Sequence, residues 1–218
     1  MGLKLELVFV EIRLVSQQGG EHRKSILSLF FEVVLIAVGV FLALWANNWH
    51  ENQEHRSQAR AALRNFAGEM EANRQAIQSN RRYHETLARE LHEFLTSKEA
   101  PTDERFIKSV HFEGMRPENL EHTAWDLALA TQALSYLKPD LAFDISKVYT
   151  QQNTLQRLED SFLASAFSPS VLSSENFKGL APAMEVYLID VNLQEPTLVS
   201  RYEKIIPEVK RALSGDAR

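Results

Sequence analysis

Hydrophobic and polar positions are distributed very unevenly along this chain. Residues 26–46 are almost entirely apolar, with Glu32 as the one ionisable side chain, whereas apolar and polar positions are mixed elsewhere. As an α-helix that rises about 1.5 Å per residue, this run would reach roughly 30 Å, the thickness of the hydrocarbon core of a bilayer. The pattern predicts a transmembrane helix over residues 25–49, preceded by an N-terminal tail at residues 1–24.

The end of the apolar run has the residues expected at a membrane interface. Trp45 and Trp49 are typical of an aromatic belt, and Asn47 and Asn48 mark the point where the helix would meet water. A cleaved signal peptide is the alternative interpretation, with a basic pair before its apolar core. Such cores are shorter, about 7–15 residues, and end at a small-residue cleavage site. We therefore expect the helix to be retained as an anchor.

Two residues inside the run are candidates for a functional role. Glu32 is either a protonatable carboxyl that faces another helix or an acid close to the lipid headgroups. Gly39 begins a strip of small residues at helical spacing, which permits close approach of a second helix. Both interpretations stay open on the sequence alone.

After the anchor, residues 50–98 carry apolar positions in alternating steps of four and three, and no proline occurs before Pro101. This period predicts one long helix. Its apolar face either forms a coiled coil between subunits, with Asn73 and Asn80 setting the register, or packs on later helices of its own chain. We favour the intramolecular arrangement, because asparagines and His84 make a poor dimer seam. The candidate seam consists of Leu63, Phe66, Met70, Asn73, Ile77, Asn80, His84, Leu87 and Leu91.

Further helix signals follow the long helix. Thr102 or Asp103 can cap a short helix, Thr123 can cap a helix that runs from Trp125 to Leu134, and Pro139 suits the first turn of another long helix. We therefore predict an all-α chain. In it, the transmembrane helix continues into a long helix and then into a soluble antiparallel helical bundle, with the soluble domain at residues 50–214 and the bundle at about 102–213.

Three local predictions complete the outline. Residues 3–14 alternate like a strand, although no partner strand is evident. The serine-rich segment 167–174 predicts a loop. Prolines in the last part of the chain then predict two final helices, at about 176–193 and 196–213, because proline interrupts the helical hydrogen-bond ladder.

Two blocks of residues in this chain form a pattern found in other proteins. The first block consists of Phe31, Glu32, Val33, Val34, Leu35, Ile36, Ala37, Val38, Gly39, Val40, Phe41, Leu42, Ala43 and Leu44, followed by Asn47, Asn48 and Trp49. The second consists of Thr123, Ala124, Trp125, Leu134, Ser135, Tyr136, Leu137, Leu141, Ala142, Val148 and Tyr149. Together they resemble a family of bacterial single-span membrane proteins whose biochemical role is unknown. The resemblance spans much of residues 25–150, and it implies a bacterial inner-membrane location without implying a mechanism.

Basic residues flank the apolar run on both sides, so the positive-inside rule gives nearly a tie for orientation. Arg23 and Lys24 lie immediately before the run. A long domain behind a first apolar segment can be translocated largely regardless of its charges. We expect a cytoplasmic N-terminus and a periplasmic C-terminal domain.

Composition and motifs exclude several classes of function. The chain contains no cysteine, and its formal net charge is -5. It has no basic stripe interleaved with aromatic residues, so no nucleic-acid partner is expected. Glycine-rich phosphate loops, the HExxH zinc motif and the nucleophile elbow do not occur. We therefore predict neither an enzyme nor a cofactor.

The strongest metal candidate in the sequence is the loop set of His111, Glu113, Glu118 and His122. Loop residues of this kind are usually solvated, so we predict no metal site. His84 and His92 lie roughly two turns apart on the long helix and could sense pH. We interpret them as polar residues of a helix face.

These observations predict a membrane-anchored helical interaction or scaffold protein, whose partners are the lipid bilayer and an unidentified protein. The alternative is a homo-oligomeric membrane component that conducts ions or protons, with Glu32 and Gly39 facing a shared axis.

Overall fold

The computed structural model describes the backbone of residues 3–168 and 177–215 and the side chains of residues 29–168 and 180–215. Across these residues the structure is helical and contains no strand, so the all-α prediction is confirmed. The helices are α1 (Leu3–Thr96), α2 (Asp103–Ser109), α3 (Thr123–Ala130), a 3₁₀ helix (Ala133–Tyr136), α4 (Pro139–Ala166) and α5 (Phe177–Gly215).

The chain divides into two units, Met1–Glu54 and His55–Arg218. In the described part of the first unit, α1 holds one stretch that is long and apolar enough to cross a membrane by length and composition. Its best window has a mean hydropathy of 2.5, and none of that window is buried within the chain. Among the described residues, no other part of the chain covers the apolar side chains of this stretch.

The strand-like alternation at residues 3–14 does not produce a strand, because α1 already begins at Leu3. A lone strand would leave its backbone N–H and C=O groups unpaired, whereas a helix satisfies them within the same segment. Helical hydrogen bonding therefore decides the backbone conformation here, and the alternating pattern was misleading.

The second unit is a bundle of α1, α4 and α5. Glu69 and Asn73 of α1 contact Tyr149 and Gln152 of α4, so these two helices run in the same direction. By contrast, α5 runs antiparallel to α1, because His84 contacts Glu195 and His92 contacts Glu185. Residues 97–138 return the chain to the end of the bundle where α4 begins.

One hydrophobic core joins the three long helices, and it extends along the sequence from Ala59 to Val209. The candidate seam lies inside this core. Asn80 is partly exposed, and the other eight seam residues are buried: Leu63, Phe66, Met70, Asn73, Ile77, His84, Leu87 and Leu91. In this structure the apolar face of α1 packs within its own chain, which is the intramolecular arrangement expected from the sequence.

Helices α2 and α4 begin where the sequence predicted, but α3 is shorter than predicted. Thr102 caps α2, since its hydroxyl accepts a hydrogen bond from the backbone N–H of Arg105. Pro139 occupies the first turn of α4, as predicted. However, α3 ends at Ala130 and does not reach Leu134, because Gln132 adopts a left-handed backbone conformation, with φ of 56°, that interrupts the helix.

The predicted division of the last part of the chain into two helices is wrong. Pro182, Pro196 and Pro207 all lie inside the single helix α5. An interior proline costs about 3 kcal/mol, but apolar packing on both sides of Pro196 continues from Leu188 to Val209 and outweighs that cost. Most of the loop predicted at 167–174 lies outside the described residues.

Candidate functional site

Among the described residues, buried polar side chains form two groups between the helices of the bundle. The first, here called the amide network, is centred on the backbone of Glu121. Asn73 donates to the carbonyl of Glu121 at 2.8 Å and accepts from its N–H at 2.8 Å, and Gln152 donates to the same carbonyl at 2.7 Å. Tyr202 in turn donates to Oε1 of Gln152 at 2.7 Å. These bonds attach the segment that precedes α3 to three helices, which are α1, α4 and α5.

A carboxylate supports the amide network from the side of α1. Glu69 accepts a hydrogen bond from the N–H of Ala124 at 2.7 Å and another from the hydroxyl of Tyr149 at 2.6 Å. A negative charge at a helix N-terminus is favourable because the first N–H groups of a helix lack intrahelical partners. Glu69 therefore performs the capping role that the sequence pattern assigned to Thr123.

Replacing Asn73 with alanine is expected to lower the free energy of unfolding by about 1–3 kcal/mol, because it removes both hydrogen bonds between the buried Asn73 side chain and the backbone of Glu121. Denaturant unfolding, followed by circular dichroism, measures this change. The matched control is Asn65→Ala on the exposed face of the same helix, where the change should stay within about 0.5 kcal/mol. Equal effects at the two positions would contradict the role given to the amide network.

The second group, here called the acidic cluster, consists of His84, Glu118, Glu159 and Glu195. Each comes from a different part of the bundle: His84 from α1, Glu118 from the segment before α3, Glu159 from α4 and Glu195 from α5. All four are buried, with exposed fractions of 0%, 3%, 2% and 0%. Buried ionisable groups are rare unless they are paired, so their convergence marks this cluster as the candidate functional site.

Both ring nitrogens of His84 are engaged. Nδ1 lies 2.6 Å from Oε1 of Glu195, and Nε2 lies 3.1 Å from the carbonyl oxygen of Met115. Since a carbonyl oxygen can only accept, Nε2 carries a proton. Burial by itself would lower the pKa of His84, but the hydrogen bond and negative charge of Glu195 outweigh burial, so this pKa lies above its ordinary value.

The other two carboxyl groups are held partly protonated near neutral pH. Burial raises the pKa of Glu118 to about 7, and the charge of Glu195 adds to the rise, while a hydrogen bond to Asn80 and the charge of His84 oppose it. Burial also raises the pKa of Glu159 to about 7, although Glu159 accepts a hydrogen bond from the N–H of Glu118 at 3.0 Å. Full ionisation of the cluster would therefore place more negative charge in the core than its surroundings stabilise.

Several polar atoms of this region have no hydrogen-bond partner among the described residues. They include Oε1 of Glu118, Oε2 of Glu195 and the hydroxyl oxygen of Tyr187. Burial, with the negative charges of Glu159, Glu195 and Glu118, raises the pKa of Tyr187. Unpaired buried polar atoms are unusual in folded proteins, so these three require a physical explanation.

The arrangement offers several ligand atoms to a cation. One ligand atom each from His84, Glu118 and Glu195 lie within 4.8 Å of one another. Imidazole nitrogen and carboxylate oxygen are ligands of divalent metal ions such as Zn²⁺. Glu118, one of the four loop residues considered as metal ligands in the sequence, belongs to this cluster.

The other three loop residues are engaged elsewhere. His111 contacts Glu90 at 3.1 Å on the surface, and His122 contacts Asp126 at 3.1 Å. Glu113 pairs with Arg116. These four loop residues therefore do not come together in one cluster.

The anchor candidates all lie on α1, in the first unit. Glu32 and Gly39 are exposed, and a Cβ added at Gly39 would meet nothing within 4 Å. Trp45, Asn48 and Trp49 are exposed too. The side-chain amide of Asn47 donates to Glu51 at 2.8 Å, one helical turn further along α1.

Glu159 and Glu195 were not identified from the sequence, although a signal was present. Glu195 falls in the buried series Leu188, Val191, Glu195, Leu198 and Tyr202, at steps of three and four. Glu159 falls in the same kind of series on α4, four residues after Leu155. An acidic residue at a core position of an amphipathic helix would have indicated a buried polar site.

Comparison of the chain with family models, with curated proteins and with solved structures finds no match. The resemblance to a bacterial single-span family therefore stays a prediction.

Proposed function

We propose that this protein is a membrane-anchored helical interaction or scaffold protein, with α1 holding the His55–Arg218 unit at a bilayer. The observation that carries the proposal is the exposure of the apolar stretch of α1, since the window with a mean hydropathy of 2.5 has no burial within the chain. Exposed apolar surface of this extent is unfavourable in water and favourable in lipid.

The composition of the stretch supports the same proposal. A helix of its length matches the roughly 30 Å hydrocarbon core, and Trp45 and Trp49 follow at the position of an interfacial belt. The bacterial inner membrane and a periplasmic His55–Arg218 unit are the location and orientation that we propose with it. The proposed lipid contact leaves Glu32 near one end of the span, where a carboxyl group is less unfavourable than at the bilayer centre.

The structure of the second unit supports an interaction role. Among the described residues, its core from Ala59 to Val209 is formed within the His55–Arg218 unit, so these apolar residues are buried without lipid contact. A tethered domain with its own core is suited to holding a protein partner at a membrane surface. We propose such a partner in place of a substrate, in keeping with the absence of catalytic motifs in the sequence.

Light scattering tests this proposal against a homo-oligomeric channel. We expect the full-length chain in detergent and the chain starting at His55 in buffer both to have monomer masses, because the apolar face of α1 in the second unit is buried internally. A discrete multimer of the full-length chain would contradict the proposal. If that multimer also dissociated in Glu32→Gln, but not in the control Glu54→Gln, it would favour an assembly with Glu32 at a helix interface.

A further inference from the structure

The acidic cluster has a deficit of positive charge. Three carboxyl groups, on Glu118, Glu159 and Glu195, face one imidazole, on His84, and the charges that act on Glu118 and Glu159 come from members of the cluster. With all four groups ionised, three negative charges against one positive charge leave a net charge of two negative units. Buried charges of one sign are strongly unfavourable unless a counter-charge compensates them.

Protonation of the carboxyl groups does not by itself explain the unpaired oxygen atoms of the cluster. A protonated carboxyl group becomes a donor and needs an acceptor within hydrogen-bond distance. Oε1 of Glu118 and Oε2 of Glu195 have no partner of either kind among the described residues, and the hydroxyl of Tyr187 is also unpaired. One dication at Nδ1 would replace the proton of the His84 imidazolium, would change the net charge from two negative units to one, and would give the unpaired carboxylate oxygens a ligand.

His84 is oriented as a metal ligand requires. Its Nε2–H donates to the carbonyl of Met115, so Nδ1 is the nitrogen directed at Glu195. A ligating histidine commonly donates its other ring N–H to a carbonyl or carboxylate, which fixes the ring orientation and the tautomer. The three ligand atoms lie within 4.8 Å of one another, close enough that small side-chain movements can bring them into one coordination shell.

We propose that His84, Glu118 and Glu195 bind one divalent first-row transition cation, of the Mn²⁺ or Zn²⁺ class, in the core of the bundle. A ligand set of one imidazole and two carboxylates suits these ions better than Cu(I), which prefers sulfur, or Mg²⁺, which keeps most of its water. The ion links three parts of the chain: α1, the segment that precedes α3, and also α5. Burial of all three ligand side chains is typical of a structural site.

The test uses the full-length chain in detergent, stripped with EDTA and then exchanged into chelator-free buffer. After incubation with MnCl₂ or ZnCl₂ and gel filtration, elemental analysis should find one bound ion per chain. At a hundredfold excess over Kd, the melting temperature should rise by about 5–10 °C. Wild-type protein that retains no ion and whose melting temperature is unchanged would overturn the proposal.

Variants locate the ion. Glu118→Gln and Glu195→Gln keep the size of the side chain and should lose both the bound ion and the thermal shift. The matched control is Glu185→Gln, which alters the surface contact of His92 with Glu185, another His–Glu contact between α1 and α5, and should behave as wild type. Retention of the ion by both cluster variants would overturn the proposal.

A spectroscopic measurement covers the case in which the cluster variants do not fold. Electron spin echo envelope modulation of wild-type protein loaded with Mn²⁺ should detect coupling to the nitrogen of one imidazole ring. Bound Mn²⁺ without nitrogen coupling would place the ion away from His84 and would overturn the assignment.

Discussion

Replacing His84 with leucine is expected to lower the free energy of unfolding by about 3–5 kcal/mol, the range typical of a broken buried ion pair. The substitution removes the imidazole ring that contacts Glu195 at 2.6 Å and leaves the carbonyl of Met115 without its donor. Leucine is similar in size, so most of the effect should come from the uncompensated carboxylate and not from a cavity. Denaturant unfolding at pH 7.5, monitored by circular dichroism, measures the difference.

The control for this prediction is His92→Leu. His92 makes a similar contact with Glu185, at 2.7 Å, but its side chain is 66% exposed. Exposed pairs of this kind contribute at most about 1 kcal/mol. Equal losses in the free energy of unfolding of the two leucine variants would contradict the claim that burial makes the His84 contact more stabilising than the exposed one.

Replacing Phe66 with alanine is expected to have an effect of similar size, about 3–5 kcal/mol, because it removes a large aromatic ring from a packed core. Phe66 is fully buried, and its ring centroid lies 6.4 Å from that of Trp125 and 5.8 Å from that of Tyr149. One substitution therefore loosens contacts between α1, α3 and α4. Thermal and denaturant unfolding of the variant measure the loss.

Phe143→Ala is the matched control, since it makes the same chemical change on α4 at a side chain that is 62% exposed. Lys147 lies over the Phe143 ring, with its Nζ 4.1 Å from the centroid. The loss of this exposed contact should lower stability by less than about 1 kcal/mol. A larger loss in Phe143→Ala than in Phe66→Ala would contradict the assignment of the core.

The helical architecture could be predicted from the sequence because helix period and proline positions are local signals. The steps of four and three along residues 50–98 predicted a helix, and α1 continues to Thr96. The same series placed Phe66 and Ile77 on the apolar face, and both are fully buried. Such patterns reflect which face of a helix avoids water, and they need no knowledge of the partner helix.

Proline positions were less reliable in the last part of the chain. Pro196 was expected to separate two helices, but α5 passes through it. The helix penalty of proline is local, whereas the apolar contacts that offset it are made with other helices. Local propensity could therefore not show whether the proline penalty or the stabilisation from these apolar contacts is larger.

The acidic cluster depends on contacts between residues far apart in sequence. His84 and Glu195 are 111 positions apart, and the N–H of Glu118 reaches Glu159 across 41 positions. The sequence indicated that His84 lies on an apolar helix face, but it could not indicate which carboxyl groups meet it there. The relative direction of α1, α4 and α5, which brings these groups together, is a property of the tertiary fold.

Vesicle flotation tests the central claim most directly, by comparing the full-length chain with a chain that starts at His55. Both proteins are mixed with phospholipid vesicles, washed in alkaline carbonate and centrifuged through a density gradient. We predict that the full-length chain floats with the vesicles, while the shorter chain stays at the bottom of the gradient and still unfolds cooperatively. A full-length chain that stays at the bottom, or a shorter chain that floats equally well, would contradict a membrane anchor in α1.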